Sequence, residues 1–230
     1  MIALQNIGKR FGEREILKNV SLAVARGEFA ILFGPSGAGK TLLLSILAGL
    51  ESPTTGRVLI GGRDMTQVAA AERPVTLVFQ RHALFPHLTV FENIAFSLRA
   101  RRRPREVVRE RVGELLALTG LEAYAHMRPD VLSGGQCQRV AFARALATDA
   151  EVILFDEPLS SLDDGLKAGL LSELKRLHRV KRFTALYVTH NHEEAHALAE
   201  SMYLLENGRT VRAEPPRGAD TRSRHPTSGH

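Results

Sequence analysis

Cysteine is nearly missing from this sequence, since Cys137 is the one cysteine among 230 residues. A single thiol cannot form an internal disulfide, and such sparing use of cysteine is typical of a reducing compartment. Long apolar runs are also missing: residues 42–50 form the best candidate, far below the roughly 18 residues that cross a bilayer. The N-terminal residues do not form the apolar stretch of a secretory signal. We therefore expect a cytosolic protein with no membrane span.

Aromatic residues make up 6% of the chain and do not interleave with its main basic segment. That segment runs from Arg99 to Arg111 and holds seven arginines against two glutamates, which accounts for most of the net charge of +6. Without interleaved aromatic rings it does not resemble a stacking platform for single-stranded nucleic acid, so we expect no nucleic-acid partner. A solvated helix face is the simplest interpretation, and a place beside anionic headgroups is the alternative.

Short apolar runs bounded by turn residues predict the strands. FAILF (29–33), VILF (152–155) and ALYVT (185–189) are short enough to be buried strands, and several such runs are followed by helical patterns. Strands alternating with helices favour a mostly parallel sheet. MYLLENG and RTVRA predict a closing hairpin about Asn207-Gly208.

A helical insertion and a polar tail complete the organisation that the sequence predicts. Residues 88–147 have helical periodicity, broken at Pro104, near Gly120 and around Pro129, and we interpret them as a separate lobe. From Ala213 onward the chain has few apolar side chains and three prolines, which predicts a disordered tail. The expected domain therefore covers residues 1–212 and the tail residues 213–230.

GPSGAGKT, residues 34–41, is the strongest motif in the chain because it satisfies G-x-x-x-x-G-K-[ST] and lies between an apolar strand and a helix. Its glycines allow backbone N–H groups to curl around phosphate oxygens, and the following helix directs its positive end to the same anion. Lys40 supplies a charge to the outer phosphates, and the Thr41 hydroxyl is a Mg²⁺ ligand. The spacing differs from the dinucleotide-binding pattern G-x-G-x-x-G.

VILFDEP, residues 152–158, places two carboxylates at the end of a predicted buried strand. Because side chains alternate along a strand, Asp156 and Glu157 are expected to have different tasks. Asp156 is a candidate for the Mg²⁺ shell, and Glu157 is a candidate to orient and polarise an attacking water. By itself the pair is better explained as an exposed acidic turn, and it is the presence of GPSGAGKT that favours the functional interpretation.

LSGGQ, residues 132–136, precedes a helical stretch and predicts a second anion-binding helix N-terminus. Ser133 is placed to cap the helix, while Gly134 and Gly135 leave its first N–H groups accessible. An ordinary capped helix is the alternative interpretation.

The order and spacing of these motifs resemble the nucleotide-binding subunit of ATP-binding-cassette (ABC) transporters. GPSGAGKT, Gln80, LSGGQ, VILFDEP, SSLD (160–163) and His190 occur in the order that this family has, and the resemblance covers roughly residues 1–212. It implies an α/β fold: a P-loop NTPase (RecA-like) core with a mostly parallel sheet, an N-terminal antiparallel β portion and an inserted α-helical lobe.

The resemblance also implies a role for each motif. Glu157, His190 and Gln80 are the implied catalytic residues, and Thr41, Gln80 and Asp156 the implied Mg²⁺ ligands. Phe11 resembles the aromatic residue that stacks on adenine, although the family more often has tyrosine there. The implied ATP-binding residues are Phe11, Gly34, Pro35, Ser36, Gly37, Ala38, Gly39, Lys40, Thr41, Ser133, Gly134, Gly135, Gln136 and Asp163.

In this family two subunits pair head to tail, so that LSGGQ of one covers the ATP held by the other. The segment HALFPHLTVFENIAFSLR (82–99) is similar to importer subunits that serve inorganic ions, polyamines and sugars, where it docks a transmembrane permease. The alternative is that the apolar residues of this segment are core of the lobe.

The expected function is therefore an ATPase that powers import of a small solute, peripheral at the cytoplasmic face of the cell membrane. Its partners are a second ATPase subunit, identical or related, a permease and, indirectly, a solute-binding protein. The alternatives are a non-transport ABC ATPase and a stand-alone P-loop switch. A guanine-specific N-K-x-D motif is absent from the sequence, and LSGGQ would have no purpose in such a switch.

Overall fold

The computed structural model describes residues 1–80, 83–148 and 150–213. An antiparallel sheet forms first, from β1 (Ile2–Phe11), β2 (Arg14–Val24), β4 (Thr55–Ile60) and β5 (Arg63–Asp64). Its order is β2-β1-β4-β5, so β1 lies between β2 and β4. Gly12, with a φ of +57°, allows the tight turn between β1 and β2. The expected antiparallel β portion is confirmed.

A second sheet contains the buried strands predicted from the apolar runs. It comprises β3 (Phe29–Phe33), β6 (Val75–Val78), β7 (Val152–Asp156), β8 (Thr184–Thr189), β9 (Ser201–Glu206) and β10 (Arg209–Ala213). Within the described residues its order is β10-β9-β3-β8-β7-β6, with all neighbours parallel except the β9–β10 hairpin. The mostly parallel sheet is confirmed, and the carboxyl ends of β3, β7 and β8 meet at one edge.

Both faces of the parallel sheet are covered, which explains why its strands are almost continuously apolar. Phe29 and Ile31 of β3 pack into one hydrophobic cluster together with the helical lobe. Ala30 and Leu32 face a second cluster, which contains α1 (Lys40–Ala48) and the antiparallel sheet. Because the strand alternates between two cores, its carboxyl end is held firmly in position.

The insertion folds as α2 (Val90–Ala100), α3 (Arg105–Thr119) and α4 (Gly134–Leu146). Pro104 immediately precedes α3, and Gly120, with a φ of +65°, ends it. The arginine-rich segment lies across the α2–α3 connection. Its arginines are exposed apart from the half-buried Arg111, which donates to the Leu146 carbonyl and pairs with Glu114.

The C-terminal part consists of α5 (Asp164–Lys181), α6 (His192–Leu198) and the β9–β10 hairpin. Asn207 and Gly208 both have positive φ, +51° and +76°, as a two-residue type I′ turn requires. Strand β10 includes Ala213, the first residue of the predicted tail, and residues 214–230 lie outside the described part of the chain. In the described ranges no helix is both long and apolar enough to cross a lipid bilayer.

Candidate nucleotide-binding site

The glycine loop at the end of β3 has a shape that other residues would not allow. A Cβ on Gly34 would collide with the Leu205 carbonyl oxygen, so close packing requires glycine there. Gly37 and Gly39 have φ values of +80° and +99°, which disfavour any other residue. Around Gly37 an added Cβ would meet no atom within 4 Å, so the loop is tight against the fold at Gly34 and open at Gly37.

The remaining loop residues line the open side. Pro35 and Ser36 are exposed and Ala38 is half-buried. The loop turns back on itself through a hydrogen bond of 3.3 Å from the Ala38 N–H to the Pro35 carbonyl. Gly39 is the N-cap of α1, so the first N–H groups of this helix face the loop.

Lys40 is the first residue of α1 and is only 4% exposed. Its Nζ donates to the carbonyl oxygens of Gly34 and Pro35, at 2.8 and 2.9 Å, and lies 3.3 Å from Oε1 of Glu157. A buried ammonium is costly unless it is paired, and here all its contacts lie in the loop and at the end of β7. The positive charge is therefore fixed where phosphate oxygens would arrive.

Asp156 ends β7 with its side chain toward α1. Its Oδ1 accepts a hydrogen bond of 3.0 Å from the Thr41 hydroxyl. Burial raises the pKa of the Asp156 carboxyl, the Thr41 hydrogen bond opposes this, and the nearby charge of Glu157 raises it again. The structure thus brings together the two oxygen donors predicted as metal ligands from motifs 115 residues apart.

Glu157 follows β7, which ends at Asp156, and its carboxylate contacts other groups than that of its neighbour. The strand alternation expected from the sequence does not explain this, because the backbone at Glu157 is no longer extended. Its carboxylate lies between two cationic or polar partners: Oε1 faces Lys40, and Oε2 is 3.0 Å from Nδ1 of His190. The backbone at Glu157 has a φ of +44°, an uncommon conformation for a side-chain-bearing residue. It is held by an N–H bond to the Val188 carbonyl and by the Ser160 hydroxyl, which donates to the Glu157 carbonyl at 2.8 Å.

Gln80 joins these groups in a cleft of about 270 Å³. The cleft is lined by Ser36, Gly37, Gly39, Lys40, Thr41, Leu42, Gln80, Asp156 and Glu157. A larger cavity of about 730 Å³, between the amino ends of the parallel strands and the helical lobe, contains none of the predicted site residues. The side chains that line a cavity therefore identify the site better than the volume of the cavity does.

Phe11 lies apart from this cleft, at the end of β1, and is 52% exposed. The Nζ of Lys9 is 4.9 Å from the centre of its ring, so one face of the ring contacts a cation. Such exposure argues against a packing role, and the ring is accessible to a flat ligand.

The Ser133–Gln136 turn is another group outside the cleft, at the N-terminus of α4. Oγ of Ser133 accepts from the Gln136 N–H at 3.3 Å, and Oε1 of Gln136 accepts from the Ser133 N–H at 2.8 Å. This is a capping box, which satisfies the helix terminus with its own side chains. A Cβ on Gly134 would lie 3.0 Å from the Leu162 side chain, so the SSLD loop packs against this turn.

Asp163 serves as the N-cap of α5, where its Oδ1 accepts from the Leu166 N–H at 3.0 Å. The carboxylate is exposed. It is in neither the cleft nor the α4 terminus, so within one chain its visible role is to start a helix.

The sequence allowed two interpretations of the segment after Gln80, permease docking and core of the lobe, and the structure has features of both. Val90 is fully buried in the lobe, whereas the centres of the tilted Phe85 and Phe96 rings are 4.4 Å apart and Phe96 is 45% exposed. Asn93, which sequence reasoning missed, is buried and holds the loop by hydrogen bonds to Phe85, Leu88 and Thr89. Its position in the first turn of an amphipathic helix is the signal that was available.

Arg144 of α4 is a second missed residue. Its guanidinium donates to the Ala83 carbonyl at 2.7 Å and lies 5.6 Å from the centre of the Phe85 ring. The same helix begins at Ser133, so Arg144 connects the loop that follows Gln80 to the helix of the LSGGQ turn.

The profile of the ABC transporter family matches residues 17–160, which include the glycine loop, the Ser133–Gln136 turn and both carboxylates. This chain belongs to the ABC transporter family. The resemblance and the P-loop α/β fold expected from it are confirmed.

Several relatives in this family are import subunits. The chain is 46% identical over 215 residues to the spermidine/putrescine import ATP-binding protein PotA of Thermotoga maritima, which covers 94% of this chain and 58% of PotA. It is 46% identical over 216 residues to the Fe(3+) ions import ATP-binding protein FbpC of Brucella abortus, covering 94% and 61%. The probable sulfate/thiosulfate import ATP-binding protein CysA of Chlorella vulgaris is 45% identical over 227 residues, covering 99% and 95%.

The chain spans roughly three fifths of the length of PotA and FbpC. Among solved structures, it resembles the ABC transporter cassette MJ0796, with a TM-score of 0.81 and 35% identity over 94% of this chain and 99% of that one. That structure is a dimer in a post-hydrolysis state bound to ADP and Pi.

Proposed function

We propose that this chain is the ATP-hydrolysing subunit of an importer, and that it powers the passage of a small solute through a membrane permease. The observation that carries the proposal is the position of Glu157, whose carboxylate lies between Lys40 of the phosphate loop and His190. A base, a phosphate-binding cation and a second polar group therefore meet at one edge of the sheet.

The groups around the cleft suit a triphosphate with Mg²⁺. The hydroxyl of Thr41, the carboxylate of Asp156 and the amide oxygen of Gln80 are hard oxygen donors, which Mg²⁺ prefers. Among the described residues, no three acidic, histidine or cysteine side chains are arranged to hold a metal ion by themselves, so phosphate oxygens would complete the shell. When bound, Mg²⁺ would neutralise charge on the transferring phosphoryl group.

The chain's own residues divide the remaining work. Lys40 and the N–H groups of the loop bind the phosphates, and the ring of Phe11 supports the adenine. Glu157 accepts hydrogen bonds from the attacking water and orients it toward the γ-phosphate. His190, whose Nδ1 lies 3.0 Å from the Glu157 carboxylate, contacts the γ-phosphate, and Gln80 contacts the water and metal.

The proposed site is complete only in a head-to-tail dimer. The Ser133–Gln136 turn and Asp163 do not line the cleft of their own chain. The N-terminus of α4 nevertheless presents glycine N–H groups of the kind that bind anions. Pairing with a second copy or a related subunit would bring this turn onto the ATP held by the partner, as expected from the dimeric cassette of similar fold.

The pair formed by the exposed Phe96 and the half-buried Phe85 is the proposed docking surface for the permease. Aromatic side chains that remain accessible are typical of a surface covered by a partner. Docking there places the subunit at the cytoplasmic face of the membrane, with a solute-binding protein as an indirect partner. The relatives are named for polyamine, iron and sulfate import. Since similar subunits are named for different solutes, we infer that the permease selects the solute and that this subunit supplies the energy.

The test is Glu157→Gln in the whole chain. Turnover should fall by about 10²–10⁴-fold, as for removal of a general base, while ATP-dependent dimers accumulate because ATP is bound but not cleaved. Light scattering coupled to gel filtration reports the dimer, and phosphate release reports turnover. Wild-type turnover per subunit should rise with protein concentration, which a stand-alone P-loop switch would not show. Unchanged hydrolysis, or a variant that stays monomeric with saturating ATP and its permease, would contradict the proposal.

A further inference from the structure

Glu194 of α6 is a carboxylate buried beneath the site, at 3% exposure. Its Oε2 accepts two hydrogen bonds from β8, one from the Tyr187 hydroxyl at 2.9 Å and one from the Thr189 hydroxyl at 2.7 Å. Burial raises the pKa of the Tyr187 hydroxyl well above its ordinary value, and the charge of Glu194 adds to this. Tyr187 therefore remains a donor to Glu194.

Thr189 extends this arrangement to the next turn of the chain. Its Oγ1 donates to Glu194 and also accepts a hydrogen bond of 2.9 Å from the Asn191 N–H. The Asn191 side chain in turn accepts from the N–H groups of Glu193 and Glu194, at 2.8 and 3.3 Å. The turn that carries His190 is thus fixed on both sides, by residues that are both bonded to Glu194.

His190 itself has little packing to hold it, because its side chain is 51% exposed. Its contact with Glu157 depends on where the backbone between Thr189 and Asn191 directs the ring. Hydrogen bonds to a charged acceptor are roughly twice as strong as those between neutral groups, so a buried carboxylate is an effective anchor for this turn.

We propose that Glu194 is a positioning residue which holds His190 against Glu157 through the hydroxyl of Thr189. The inference rests on the proposed hydrolytic function and extends it to residues that contact neither nucleotide nor metal. A displacement of about 1 Å in such a group lowers turnover by about 10²-fold, so the loss of this anchor should be visible in kcat.

Thr189→Val and Tyr187→Phe form a matched pair, since each removes one hydroxyl donor to the same carboxylate oxygen. Tyr187 bonds to Glu194 without reaching the His190 turn, whereas Thr189 bonds to both. We expect Thr189→Val to lower kcat at least about tenfold with the KM for ATP changed less than about twofold. Tyr187→Phe should leave kcat within about twofold while lowering Tm at least as much as Thr189→Val.

Two further variants sharpen the result. Thr189→Ser keeps the hydroxyl and should restore most of kcat. Glu194→Gln keeps an acceptor oxygen without the charge and should fall between wild type and Thr189→Val. The proposal would be wrong if Thr189→Ser were as slow as Thr189→Val, or if Tyr187→Phe lost as much activity as Thr189→Val. Either result would show that general packing, and not the Thr189 hydroxyl, holds His190 in place.

A double-mutant cycle with His190→Ala separates this inference from the proposed function. If Glu194 and Thr189 act through His190, Thr189→Val should cost less than about twofold in kcat once His190 is alanine. An equal loss in both backgrounds would overturn the positioning role while leaving the hydrolytic proposal intact. Wild-type turnover in His190→Ala alone would remove His190 from the mechanism and overturn the positioning role, whereas the hydrolytic proposal would fail only if Glu157→Gln kept its activity.

Discussion

Two glycine-rich helix N-termini in this chain differ in how they are completed. The N-terminus of α1 begins at Gly39, a residue with no side chain to cap it, and is surrounded by Lys40, Asp156 and Glu157. The N-terminus of α4 is closed by its own capping box of Ser133 and Gln136. The first is built into the parallel sheet, and the second lies on the helical lobe.

This difference bears on how each helix N-terminus would bind an anion. The α1 terminus has a buried cation beside it and no side chain that caps its first N–H groups. At α4 the capping box satisfies the Gln136 N–H, the third of the first turn, next to the N–H groups of Gly134 and Gly135. We therefore expect a ligand at α4 to compete with the cap and to bind more weakly than one at α1.

Among the variants that test this difference between the two helix N-termini, Lys40→Ala is expected to have the largest effect. This variant removes the buried cation from the α1 side and leaves Glu157 with His190 as its remaining partner, so turnover should fall about 10²–10³-fold. The affinity for ATP, measured by isothermal titration, should fall as well. Lys167→Ala is the control, because it also removes a carboxylate-paired lysine, at 2.9 Å from Asp164, but outside the cleft. Wild-type turnover in Lys40→Ala would exclude this lysine from phosphate binding.

Ser133→Arg tests the α4 side with a smaller effect. It removes the cap and adds bulk, so ATP-driven dimerisation should weaken by about 1.5–3 kcal/mol, roughly 10–150-fold. Binding of ATP to the separate chain should stay unchanged.

Thr89→Ala is the matched control for Ser133→Arg, since Thr89 and Glu92 form the same kind of capping box on α2. It should lose about 1 kcal/mol of stability, as cap removal does, yet dimerise normally in analytical ultracentrifugation. Equal dimerisation by wild type and Ser133→Arg would show that α4 takes no part in the interface.

Phe11→Ala is expected to have the smallest effect. Loss of one stacking ring costs about 0.5–1.5 kcal/mol, which is roughly a 2–10-fold weaker affinity for ATP. Phe11→Tyr retains the ring and should bind like wild type. The comparison of ATP with inorganic triphosphate is decisive, because only ATP has a base to stack: a similar loss for both ligands would rule out adenine contact.

Local pattern was enough to predict most of the fold. FAILF and VILF formed buried strands because a parallel sheet covered on both faces needs continuous apolar runs. Asn207-Gly208 formed its hairpin because both positions need positive φ. The helix expected after GPSGAGKT runs over Lys40–Ala48, since Gly49 takes a left-handed conformation that ends it.

The sequence did not predict which side chains contact one another in the folded chain. The motifs placed Asp156, Glu157 and Thr41 at the correct sheet edge, but not the pairing of Glu157 with Lys40 or the bond from Thr41 to Asp156. Glu194 was missed for the same reason, because it lies on a helix of mixed polarity and its donors come from a neighbouring strand. Distances between side chains depend on packing that no local pattern encodes.

Ser160 connects the Glu157 end of β7 to the Ser133–Gln136 turn of the same chain. Its hydroxyl donates to the Glu157 carbonyl, and Leu162, two residues later, lies against Gly134. In the head-to-tail dimer that we propose, this turn would cover the nucleotide of the partner, so a short loop would join the two nucleotide sites. Hydrolysis at one site would then alter the contacts at the other, and the two sites would not act independently.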